Sequence, residues 1–156
     1  MPVAQTSHFG TISYSREAAI EFPKGLPGFD DRRCFVALQF PDTAPLVFLQ
    51  SLERADLCFI TMPVLAVDPQ YRVQVDSDAL KAINLSPSSQ PRIGEDILCL
   101  AVISVDEDGP TANLLAPVVV NLRNLRAVQA VAAESGYSHR HPLCAEGLVP
   151  KVAVCS

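Results

Sequence analysis

GYSHRHPL (136–143) sets two histidines two residues apart. On an extended segment His139 and His141 point to the same side and could share one metal ion. A metal site needs three or four ligands, and no third stands nearby. The pair therefore reads as surface or structural histidines. EFPKGLPGFDD (21–31) is the second stretch with chemical potential, because glycine-rich loops can cradle phosphate through their backbone amides. Here the prolines remove donors, the lysine precedes Gly25 and Gly28, and two acids follow. What remains is a rigid corner: proline fixes φ, and glycine takes the positive φ that other residues avoid. Phe22, Leu26 and Phe29 either pack inward from that corner or are displayed by it.

Nucleophilic chemistry finds no better footing. No GxSxG, HExxH or CxxC occurs. Glu53, Asp56, Asp68 and Asp76 are too dispersed for a paired-carboxylate site, and His8 is isolated. No enzyme, cofactor or metal is expected. The five cysteines, Cys34, Cys58, Cys99, Cys144 and Cys155, are odd in number and widely spaced, which argues against a disulfide framework or a zinc site. Cys34, Cys58 and Cys99 lie in apolar runs, where a free thiol behaves as a small hydrophobe.

Composition narrows the partners. Seventeen acids against twelve bases give a net charge of −5, with only three lysines. Direct nucleic-acid binding needs clustered Lys and Arg to displace counterions, so it is not expected. An acidic chain is better suited to a basic protein partner, where complementary charge speeds association. No apolar run approaches the roughly 18–20 residues that span a bilayer. The opening MPVAQTSHFG lacks the basic and apolar regions of a secretory signal, so a cytoplasmic location is expected.

The elements that must position these residues are mostly strands. With 156 residues, 49% of them apolar, the chain reads as one globular domain. Thirteen prolines cut it into short segments. CFVALQF (34–40), LVFLQSL (46–52), LCFITMPV (57–64), YRVQV (71–75) and DILCLAVISV (96–105) carry the β-branched and aromatic content of strands. EDGP (107–110) marks a turn into TANLLAPVVVN (111–121), the hairpin partner of the preceding strand. Pro117 cannot donate to a ladder, which predicts an edge strand or a bulge there. DSDALKAINL (76–85) is the one clear helix, capped by Asp76 or Ser77. Residues 123–134 fit neither period. Eight to ten strands with one or two short helices predict a mainly β, antiparallel, barrel-like or sandwich single domain.

These segments together resemble the FliW flagellar assembly factor family. The resemblance is carried in order by FGTI (9–12), FPKGLPGF (22–29), FLQSL (48–52), FITMP (59–63), DPQY (68–71), TANLLAPVVVN (111–121) and YSHRHPL (137–143). It implies a non-catalytic, monomeric, antiparallel β-barrel-like protein over 1–143, followed by an extension of its own at 144–156. It implies two partners: CsrA, a small RNA-binding repressor of flagellin mRNA translation, and flagellin itself. Free FliW binds CsrA, allosterically rather than by covering its RNA surface, and relieves repression; flagellin takes FliW away. A flagellin chaperone without a CsrA role is one alternative, and a small metal-assisted enzyme using His139 and His141 is the other. The resemblance also implies a turn at Asn121–Asn124 and a strand over Arg126–Ala132. The expected interface residues are Leu26, Gly28 and Phe29 of the corner, Asn113 and Asn121 of the proline-interrupted strand, and Tyr137, His139 and His141.

Overall fold

The computed structural model describes residues 1–26, 28–29, 31–132 and 135–143. Ten strands and two short α-helices are present among them. β1 (Val3–Thr6) and β2 (Gly10–Ser13) form a separate N-terminal hairpin. The main sheet runs β10 (His141–Pro142), β8 (Gly109–Asn121), β7 (Ile97–Asp106), β6 (Cys58–Pro63), β5 (Val47–Ser51), β4 (Cys34–Leu38) and β3 (Ala19–Glu21), all antiparallel. β9 (Ala127–Gln129) also pairs with β8. The sheet curls until β3 meets the chain just before β9: the Glu21 N–H donates to the Leu125 carbonyl at 3.0 Å, and Glu21 bridges Arg126. The result is a nearly closed, mainly β barrel, in line with the expected class.

Alternation along each strand divides the apolar residues between two layers. Phe35, Val47, Leu49, Leu100, Val118, Val120 and Ala127 pack with Ile20, Phe22 and Leu26 as the inner core. Phe48, Met62, Ile97, Cys99, Ala101, Ile103, Ala112 and Val119 face outward and would be exposed if nothing covered them. The segment between β6 and β7 supplies that cover: Val64, Tyr71, Val73, Val75, Ala79, Leu80 and Ile83 all pack on this outer face. α1 (Val64–Val67) and α2 (Ser77–Ala82) belong to it. Asp76 caps α2 by accepting the Ala79 N–H at 2.7 Å.

Three local expectations need correction, and a fourth is decided between its two alternatives. YRVQV is no strand, although Tyr71, Val73 and Val75 are buried and Arg72 and Gln74 exposed as the alternation demands. Its backbone bonds side chains instead. The Gln90 amide accepts from Val75 N–H at 2.8 Å and donates to its carbonyl at 2.9 Å, in the manner of a neighbouring strand. The Tyr137 hydroxyl accepts from Arg72 N–H at 3.0 Å. The strand of 57–64 stops one residue early, because Val64 opens α1. The segment expected as a strand over 126–132 is paired regularly only as Ala127–Gln129. The proline strand is not an edge: β8 pairs β7 on one side and β9 and β10 on the other. The alternative holds, since the register jumps from Leu100↔Val118 to Val102↔Asn113, which marks a bulge over 114–117. The expected extension at 144–156 lies outside the described residues.

Burial has a titration consequence. Burial pushes the Cys99 thiol up to about 12 from an ordinary 9.0. As pH rises through this window the unfolded chain releases a proton that the folded chain keeps, so stability present below about pH 9 is lost above it. Urea unfolding at about pH 8 and about pH 10 is expected to show a fall roughly 1 kcal/mol larger for the wild type than for Cys99→Ala. Equal falls would assign the slope to other groups.

Candidate functional site

The bulge is built residue by residue from the sequence NLLAP. One residue of β7, Ala101, stands opposite four of β8 (114–117), so the surplus backbone must find partners off the ladder. The Asn113 carboxamide oxygen accepts from Leu115 N–H at 3.1 Å and Ala116 N–H at 2.9 Å. Pro117 has no N–H to satisfy. The carbonyl of Leu114 accepts the buried Tyr71 hydroxyl at 2.8 Å, and that of Leu115 accepts Ala132 N–H at 2.9 Å. The Ala116 carbonyl accepts the Gln129 side-chain amide at 3.0 Å, and Pro117 accepts Ala130 N–H at 2.9 Å. Leu114 N–H donates to Ser138 at 3.0 Å, which ties the histidine segment to the same knot. Tyr71 and Tyr137 stack beside it with ring centres 4.4 Å apart.

At this end the barrel opens into a groove of about 500 Å³. Its floor is one end of the inner core: buried Leu26, Leu49 and Val118 with half-buried Phe59 and Val102. Its rim is polar, with Ser104, Asp106, Thr111, Asn113, Gln129, His139 and Arg140. Arg140 pairs with Asp106 across the rim, and both side chains are about half exposed. Such a pair contributes little to stability and much to the local charge pattern.

Leu26 and Phe29 of the corner close one side. Phe22 is fully buried against Phe35, with ring centres 5.3 Å apart. Leu26 and Phe29 exchange backbone hydrogen bonds, Phe29 N–H to Leu26 at 2.7 Å and Leu26 N–H to Phe29 at 3.4 Å. Between them Gly28 takes φ +84°, where a side chain would be strained, although open space lies beside it. Phe29 is half-buried and meets Phe59 edge-on at 5.7 Å. Both readings of the corner are therefore present: Phe22 and Leu26 pack inward, and Phe29 is partly displayed.

Leu26, Asn113 and His139 line one groove, with Phe29 against its floor. His141 lies in β10, half-buried and opposite Ala112. Tyr137 is half-buried, holding Arg72 and stacking on Tyr71. Asn121 is elsewhere: it is 2% exposed, donates to the Ile83 carbonyl at 2.6 Å and accepts Arg123 N–H at 2.9 Å. It thus joins the end of α2 to the turn after β8. Asp106, Arg140, Phe59 and Gln129 were not singled out from sequence, because they meet only through strand register and the bulge. Among the described residues no group of three His, Cys, Asp or Glu can hold a metal ion.

Comparison with known proteins gives one consistent answer. The family model described as FliW protein matches residues 3–143. A protein of Desulfitobacterium hafniense named flagellar assembly factor FliW is 32% identical over 142 residues, covering 91% of each chain. One of the same name from Bacillus subtilis is 29% identical over 146 residues, covering 92% of this chain and 98% of its own. A crystal structure titled as the flagellar assembly factor FliW superposes with a TM-score of 0.79 at 27% identity, covering 92% of this chain and 97% of the other.

The bulge network makes Asn113 a test of what the groove rests on. Asn113→Ala leaves two N–H groups without their acceptor and is expected to lower unfolding stability by about 1–3 kcal/mol in urea. Asn113→Asp keeps the accepting oxygen and should retain most of it. Equal losses in the two variants would show that the side-chain oxygen is not what holds the bulge.

Proposed function

The chain belongs to the FliW protein family, and from that premise we propose that it is a flagellar assembly factor acting through two protein partners. In this reading it binds the translational regulator CsrA, relieving repression of flagellin mRNA, and binds cytoplasmic flagellin, which withdraws it from CsrA. It acts as a monomeric binding protein in the cytoplasm, without catalysis. The observation that carries the reading is the family match across 3–143, spanning the whole described barrel.

The physical features agree with binding rather than chemistry. The net charge of −5 suits a basic RNA-binding protein better than RNA itself. Binding away from the RNA surface of CsrA then gives regulation allosterically. The barrel mouth is the surface we assign to partner contact, with Leu26, Gly28, Phe29, Asn113 and His139 in or beside it and Tyr137 and His141 on the adjoining segment. Asn121 acts from beneath, by holding the turn that fixes β9. No helix among the described residues is long and apolar enough to cross a membrane.

Calorimetric titration of the purified protein with CsrA from the same organism tests this directly, repeated with flagellin already bound. Binding to CsrA that flagellin abolishes is the expected result, with Phe29→Ala weakening at least one partner by about tenfold, as loss of an interface aromatic does. Binding to flagellin alone would leave a chaperone without a translational role.

A further inference from the structure

β6 and β7 are neighbours over only part of their length. Their pairing runs Thr61↔Val102, Met62↔Ala101 and Pro63↔Leu100, and among the described residues no pairing joins residues 104–106 to β6. Had the register continued, Phe59 would face Ser104. Instead both Phe59 and Ser104 line the groove, so the wall of the barrel is split there. The β7–β8 hairpin continues past the split to a two-residue turn at Glu107–Asp108, with Asp106 opposite Gly109.

The open edge can be specified by ladder alternation. Two residues flanking a two-residue hairpin turn exchange both backbone hydrogen bonds, and every second residue then turns its N–H and C=O away. Asp106 and Ser104 therefore bond toward β8, while the Ile103 N–H points to the Ile60 carbonyl and closes the last rung of the β6 pairing; the groups that face the split are the Ile103 carbonyl and the N–H and C=O of Val105. Pro110 sits opposite Val105, where its missing N–H leaves this ladder intact, and its carbonyl faces outward to accept Leu143 N–H at 3.1 Å. Val105 is moreover 42% exposed, a large apolar side chain on an edge that no described residue pairs. Natural proteins usually blunt such an edge, because it templates pairing with another chain.

We propose that the β7 edge at Ile103–Asp106 is a docking strand for an extended segment of a partner protein, carrying alternate apolar and basic side chains. The edge supplies the main-chain pairing, and the groove beside Phe59 and Val102 accepts alternate side chains from that segment. Charge selects the basic partner. The tip of the hairpin presents Asp106, Glu107 and Asp108 in succession, and the same register carried back along β6 brings Asp56 to its level. Arg140 and Arg54 balance only Asp106 and Asp56 among these. The inference goes beyond the assignment of CsrA and flagellin, since it specifies a backbone-pairing mode for whichever protein supplies the segment.

The probe is a capped peptide of alternating valine and lysine, with two controls: the same peptide N-methylated at every second residue, and a valine–glutamate peptide. Binding to the full chain is read by calorimetry and by amide hydrogen exchange. The expected result is binding of the valine–lysine peptide, slowed exchange at Val105, and affinity about tenfold or more weaker for each control. Val105→Pro removes one outward N–H without touching the β8 ladder, so the fold should survive and the peptide affinity fall by a similar factor. Thermal unfolding checks that survival, and Glu107→Lys with Asp108→Lys gives a second, non-proline route to the same loss. Absence of peptide binding, or binding indifferent to both variants and to N-methylation, overturns the proposal. So does concentration-dependent dimerisation abolished by Val105→Pro, which would assign the edge to a second copy of the chain.

Discussion

The surplus backbone of β8 at Leu114–Pro117 is the constraint from which the architecture follows. Side chains alternate along a strand, and a bulge can change which parity faces inward. Before the bulge Asn113 and Thr111 line the groove while Ala112 and Leu114 pack outward; beyond it Val118 and Val120 face inward and Val119 outward. Without that switch β8 would present a single parity to the interior, and the apolar core could not give way to a polar-rimmed mouth along one strand. The price of the switch is a run of backbone groups off the ladder. Tyr71, Asn113 and Gln129 supply side-chain partners for them, and Ala130 and Ala132 supply backbone ones.

The same constraint couples the two layers. Tyr71 belongs to the outer covering segment, yet its hydroxyl ends on the Leu114 carbonyl. Tyr137 packs on Tyr71 and accepts from the backbone N–H of Arg72, so the histidine-bearing segment is placed by the outer layer as well as by its pairing with β8. Asn121 works at the other end of β8, carrying the Ile83 carbonyl at the end of α2. Burying either carbonyl unpaired would cost roughly 1–3 kcal/mol, comparable with a large share of the stability of a small domain. The mouth, the covering segment and the turn into β9 are therefore one cooperative unit rather than a rigid barrel with attached loops.

Much of this was legible in the chain, and what was not has physical reasons. The apolar runs at 34–40, 46–52 and 96–105 mark strands because periodicity and β-branched content agree. Asp76 marks the helix because a carboxylate before an apolar face has a specific acceptor role. YRVQV misleads for an instructive reason: its alternation is real, but burial on one face needs no strand partner when Gln90 can imitate one. Pro117 in a central strand contradicts the edge rule only until the bulge is seen, since a proline off the ladder has no N–H to withhold. β1, β2 and β3 were missed because three- and four-residue strands carry almost no periodic signal. The groove was beyond reach altogether, as Asp106 and Arg140 meet only after register and bulge are both fixed.

The electrostatics of the mouth bear on how such a surface could exchange partners. Its charges are held in exposed pairs, Asp106 with Arg140 and, near the start of β6, Asp56 with Arg54. Exposed pairs contribute between nothing and about 1 kcal/mol, so a partner's charges can replace either member with little penalty. A buried pair would be different, because removing one member strands the other in a medium of low dielectric. What the rim can tune is encounter: Glu107 and Asp108 extend the negative field outward from the hairpin tip, raising the association rate with a basic segment in a salt-dependent way. In the proposed docking mode the residence time then comes from the apolar floor and from main-chain pairing, neither of which depends on salt in the same way. Rapid, charge-steered arrival combined with separately set departure is the kinetic character that the proposed exchange between two partners requires.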